Sequence, residues 1–134
     1  MGATMKRLAL ALALTILSCN SAAEWVMVSD SDEYIAYADP ATISREGNLA
    51  RMSDLVDLKA PRSSPYGNQH ASSTAHSEFD CEEPRIRTIA FFLHSGQMGS
   101  GDLVETAAVS NGWLTVAPGT LLDVLWQFAC PRER

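Results

Sequence analysis

The sequence predicts an α+β fold: an antiparallel β-sheet of about six strands with one C-terminal α-helix packed on it and a single disulfide. Three observations lead there. Short runs rich in branched and aromatic residues alternate with polar turns from Glu24 to Val116. Helical periodicity comes after them, where Leu121, Leu122, Val124, Leu125, Phe128 and Ala129 form an apolar arc opposite Asp123 and Gln127. Two cysteines, Cys81 and Cys130, remain once the N-terminal leader is removed, one in the strand region and one at the helix end.

The leader comprises residues 1–23. Lys6 and Arg7 form a basic start, and Leu8 to Leu17 is an apolar stretch of ten residues, too short to span a bilayer, which takes about 20. Ser21-Ala22-Ala23 fits a small-x-small cleavage site, with the cut between Ala23 and Glu24. Ile16-Leu17-Ser18-Cys19 also has the form of a bacterial lipobox, so lipidation at Cys19 is the alternative, with plain secretion preferred. The mature domain is then residues 24–134. It keeps eight Lys and Arg against sixteen Asp and Glu, a formal charge of about −8. Such a surface repels phosphate backbones, so nucleic acid is not an expected partner, and membrane contact is expected only through a lipid on Cys19. In an exported chain the two remaining cysteines read as a Cys81–Cys130 disulfide rather than as a catalytic thiol at Cys81 beside His76.

The elements follow in order. Glu24 to Val28 and Glu33 to Ala38 are strands around the turn Ser29 to Asp32. Asp39-Pro40 is expected to break the sheet into a short helical turn capped by Asp39. Leu49 to Leu58 is a third strand, with Met52, Val56 and Leu58 on a buried face and Asp54 as the exception. Ala60 to Asn68 holds two prolines and a glycine and reads as a solvated loop in which Tyr66 is the one good anchor. Gln69 to Cys81 is a strand with Phe79 and Cys81 facing the core. Ile86 to Leu93, apolar on both faces, is expected to be the central strand. His94 to Asp102 is a glycine-rich connection without the lysine of a phosphate loop. Leu103 to Val109 and Trp113 to Val116 are strands joined at Asn111-Gly112. Thr120 caps the helix, with Asp123 three residues on.

No catalytic, cofactor-binding or metal-ligating set emerges. His70, His76 and His94 read as separate surface histidines, and Glu78, Asp80, Glu82 and Glu83 as solvated charge near a turn. There is no Gly-x-Ser-x-Gly and no His-Glu-x-x-His. An enzyme is therefore not expected.

Several short motifs, in order, carry a family resemblance. They are Glu24-Trp25, Tyr37-Ala38-Asp39-Pro40-Ala41-Thr42-Ile43, Leu55-Val56-Asp57-Leu58-Lys59, Phe79-Asp80-Cys81 and Arg85-Ile86-Arg87. Ser95-Gly96-Gln97-Met98-Gly99, Trp113, Pro118-Gly119-Thr120 and Cys130 complete the series. With them the mature chain resembles the bacterial surface-adhesin protein E-like domain. The resemblance implies a small antiparallel sheet with a C-terminal helix, exported to the periplasm or the cell surface. It also implies an adhesin-like module that binds host matrix or serum proteins such as vitronectin and laminin. It places no ligand-contacting residue on this chain. The competing expectation is a periplasmic structural or accessory subunit of an envelope complex.

Overall fold

The structure, a computed structural model, describes residues 24–108 and 112–132. The leader 1–23, with Cys19 and Ala23, and Val109 and Asn111 of the expected final hairpin lie outside the described residues. Seven antiparallel strands appear among them: β1 (Val26–Asp30), β2 (Tyr34–Glu46), β3 (Leu49–Ser63), β4 (Gln69–Asp80), β5 (Arg85–His94), β6 (Leu103–Ala108) and β7 (Leu114–Thr115). Six lie side by side in chain order, β1 to β6, and the short β7 pairs with the start of β5. One helix, α1 (Leu121–Ala129), closes the chain. From β1 to β6 each neighbour in the sheet is also the neighbour in sequence, so those connections are hairpins.

Strand parity explains the core. Ala38, Ala50, Met52, Phe79 and Ile86 from β2 to β5 share one face, and Leu125, Ala129 and Cys130 of the helix segment lie on them with Val116. Burying this set drives the helix onto the sheet. Thr120 Oγ1 accepts from the Asp123 N–H at 3.3 Å, and the Asp123 carboxylate accepts from the Gly119 N–H at 2.9 Å, so the helix start is capped from both sides. The Cys81–Cys130 disulfide ties the end of β4 to the end of α1, with a Cα–Cα distance of 5.4 Å.

The helix covers only one end of this face. At the other end the β3–β4 hairpin bends over to reach Glu105, which lies on the core face opposite Leu93. The β3–β4 register shifts between Asp57 and Arg62, where the strand bends. Between the two covers lies Asp54, flanked by Ala38 on β2 and Ala75 on β4.

Several expectations change. β6 and β7 do not pair with each other as a final hairpin; each pairs with a different part of β5. Asp39-Pro40 does not end β2: the strand continues to Glu46 through a register shift between Asp39 and Ser44. Asp39 Oδ1 accepts from the Ala41 N–H at 3.0 Å, and Thr42 Oγ1 donates to the Asp39 carbonyl at 2.7 Å. A proline has no N–H to place in a ladder, and the irregularity asks for none there. Residues 60–63 of the expected loop belong to β3, with Pro61 again inside an irregular stretch. β5 is fifth of six strands rather than central, and Ile89 is exposed at a bulge opposite His76 and Ser77. The most buried strands are β3 and β4, whose small Ala and Ser residues made them look less apolar.

The outer face is not uniformly wet either. Leu55 is fully buried there, beneath the glycine-rich connection. That connection is an ordered cap with a 3₁₀ turn at Gln97–Gly99. Ser72 Oγ donates to the Gly96 carbonyl at 2.6 Å and accepts from the Gly99 N–H at 2.9 Å, and the Asp57 carboxylate accepts from the Met98 N–H at 2.9 Å. Gly101 has φ +78°, and a Cβ there would stand 2.8 Å from the Gly96 nitrogen. Gly101→Ala is predicted to destabilise the fold by about 1–3 kcal/mol; an unchanged urea midpoint would show that the cap yields freely.

Candidate binding surface

The tip of the β3–β4 hairpin is built by one serine. Pro65 fixes φ at the second position of the turn Ser64-Pro65-Tyr66-Gly67, and the Gly67 N–H donates to the Ser64 carbonyl at 2.9 Å. Gly67 has φ +83°, a conformation that favours glycine. The buried Ser64 hydroxyl accepts from the Tyr66 and Asn68 N–H groups, both at 3.2 Å, and donates to Glu105 at 2.8 Å. The Asn68 side-chain amide donates to the same Glu105 oxygen at 3.1 Å. The turn is therefore stapled to β6, and Tyr66 stands on it 85% exposed. A loop expected to be solvated and unstructured is a fixed platform for an aromatic side chain.

A second feature crosses the outer face. Glu78 of β4 lies between Arg51 of β3 and Arg87 of β5, at 3.3 and 2.7 Å. Next along β4, Asp80 pairs with Arg85 at 2.9 Å and accepts from the Glu82 and Glu83 N–H groups at 3.0 and 3.1 Å. Burial alone would raise the Asp80 carboxyl; the Glu83 and Glu82 N–H groups and the Arg85 guanidinium outweigh it and hold it below the usual carboxylate range. Arg85 and Arg87 both lie over the Trp113 ring, 4.8 and 4.5 Å from its centroid. Glu78 and Asp80 are thus buried structural ion-pair partners, correcting their reading as solvated charge, whereas Glu82 and Glu83 are exposed. This ladder joins β3, β4, β5 and the segment before β7, and with the exposed Glu83 3.9 Å from Arg85 it sets three carboxylates against three guanidinium groups.

The histidines stay apart. His76 Nδ1 lies 2.6 Å from Ser53 Oγ, and His94 Nε2 lies 3.0 Å from Thr74 Oγ1. Burial holds His94 below the usual imidazole range. His70 Nδ1 is 3.4 Å from the Asn68 carbonyl. No group of three or more His, Cys, Asp or Glu side chains among the described residues is placed to hold a metal ion. No helix among them is long and apolar enough to cross a membrane.

The interlocked tip and the ladder both depend on residues far apart in the chain, which the overall fold brings together. A family model described as surface-adhesin protein E matches residues 25–131. Crystal form II of Haemophilus influenzae protein E is similar in fold, at 17% identity and a TM-score of 0.55, covering 77% of this chain and 91% of that one. A second structure of Haemophilus influenzae protein E gives 17% identity and a TM-score of 0.54 over 77% and 87% of the two chains. Protein E from non-typeable Haemophilus influenzae gives 16%, 0.50, and 77% and 81%. No curated protein matches this sequence. With the family model spanning nearly all of the described domain, the chain belongs to the surface-adhesin protein E family.

Proposed function

We propose that this chain is an exported, adhesin-like binding module that contacts another protein through the tip of its β3–β4 hairpin, with Tyr66 as the anchor. Membership of a surface-adhesin family supports the class of function. The observation that carries the contact is the exposure of Tyr66 on a turn already held by Ser64, Asn68 and Glu105. An aromatic side chain carried on a backbone already held leaves only its own rotamers to be ordered when a partner covers it, and such aromatic anchors are common hot spots. The leader 1–23, cut between Ala23 and Glu24, would deliver the domain across the inner membrane, with Cys19 removed along with it.

The test has two arms. Intact and fractionated cells are compared by surface proteolysis and antibody labelling, and the mature protein is weighed by mass spectrometry. Surface exposure and an N-terminus at Glu24 are expected. Confinement to the periplasm would overturn adhesion in favour of an envelope subunit, and an acylated Cys19 would overturn the soluble form. In the second arm, purified domain is passed over immobilised vitronectin and laminin. Tyr66→Ala is expected to weaken any binding by about tenfold or more while leaving the denaturation midpoint unchanged. Equal binding by the variant would remove Tyr66 from the contact.

A further inference from the structure

We propose a second site, separate from the hairpin tip: the cleft between the β4–β5 turn and the end of α1 takes a single carboxylate of an acidic peptide, held between Arg45 and Arg132. Seven Lys and Arg residues lie among the described residues. Five of them, Arg51, Lys59, Arg62, Arg85 and Arg87, each pair with an acidic side chain. Arg45 and Arg132 pair with none of the described residues, and these two line the same cleft, of about 470 Å³. Arg45 reaches it from the end of β2, its Nε donating to the Gly47 carbonyl at 2.9 Å, and Arg132 reaches it from beyond the helix. In a chain of formal charge −6, two guanidinium groups on one concavity with no acidic partner among the described residues are the exception to the pattern.

The floor is apolar and stiff. Pro84, Pro131, the Cys81–Cys130 disulfide and the Trp126 indole form it. Trp126 is held in place, its Nε1–H donating to the Asp80 carbonyl at 2.7 Å. A guanidinium donates in a planar fork that suits a carboxylate, and a preformed apolar floor beside it suits the side chain of a flanking residue. Glu82 lies on the rim, its carboxylate accepting from the Asn48 side-chain amide at 2.8 Å. That fixed negative charge, with the net charge of the chain, discriminates against polyanions and leaves room for one carboxylate. An acidic peptide with apolar neighbours therefore fits better than a phosphate or a sulfated chain.

The test follows the indole N–H of Trp126 by NMR in the uniformly labelled domain, oxidised. The probe is the blocked peptide acetyl-Gly-Leu-Glu-Leu-Gly-amide, set against its Gln counterpart and against inorganic phosphate. A saturable shift of the Trp126 signal with a Kd of about 0.1–1 mM is expected for the Glu peptide. The Gln peptide and phosphate are expected to bind at least about tenfold more weakly. Arg45→Gln with Arg132→Gln, both exposed positions, is expected to lose the response while keeping a dispersed spectrum. Tyr66→Ala is expected to bind the probe as the parent does, so failure at the hairpin tip and failure here are distinguishable. No shift up to about 10 mM peptide, an equal response to the Gln peptide or to phosphate, or an unaltered response in the double variant would each overturn the site.

Discussion

Replacing Asp54 with asparagine will stabilise this protein above neutral pH, and the gain will disappear in acid. Asp54 lies on the core face between Ala38 and Ala75 and is buried. No ion pair among the described residues reaches it. Desolvation penalises the charged form and pushes the carboxyl up from 3.8 to about 7. The sign follows from proton linkage. The unfolded chain releases this proton near pH 4 and the folded chain holds it to about pH 7. Between those values stability falls as pH rises, and above about 7 the full penalty, on the order of 4 kcal/mol, applies. Asparagine keeps the shape and removes the charge. Urea denaturation of parent and Asp54→Asn at pH 4.5, 6, 7.5 and 9 reads this directly. The difference between the two should widen from pH 4.5 to 7.5 and then level off to pH 9. Parallel pH profiles would mean that Asp54 is ionised and solvated in the folded state.

The second large effect is loss of the disulfide. Cys81 and Cys130 are 49 residues apart in sequence. Closing a loop of that length restricts the unfolded chain by about 4 kcal/mol in the chain-entropy account. The link also holds α1 to the sheet at the point where Ala129 and Cys130 pack on Phe79 and Ile86. The Cys81→Ala/Cys130→Ala protein is expected to lose about 2–5 kcal/mol, and the oxidised parent to fall by a similar amount on reduction. The check is the urea midpoint of the three species. A double variant within about 1 kcal/mol of the parent would show that the helix docks on apolar contact alone.

Much of this architecture can be read from local pattern. A two-residue alternation marks Phe79 as inward and His76 as outward, and both are so placed. A Thr–x–x–Asp start and an apolar arc mark α1, and two cysteines in an exported chain leave one pairing. The differences arise where strand pairing and partners distant in sequence override the local signal. Proline reads locally as a breaker at Asp39-Pro40 and in Ala60 to Asn68, yet a strand can pass a proline where its partner strand shifts register. Glu78 and Asp80 looked solvated because their arginines come from β3 and β5, and no local window contains both partners. Trp126, left out of the helix's apolar arc, is held by the Asp80 carbonyl across 46 residues.

What this sequence determined unaided is the kind and order of its elements, the faces they bury and the covalent link between strand and helix. These follow from spacing over a few residues, where side-chain size, branching and charge act directly on the backbone. The tertiary structure alone decided that β3 and β4 are the heart of the sheet, that a serine and a glutamate 41 residues apart stiffen the hairpin tip under Tyr66, and that Arg45 and Arg132 face one cleft. Those outcomes depend on strand register and curvature, which are set by the summed packing of distant side chains rather than by any one stretch of chain.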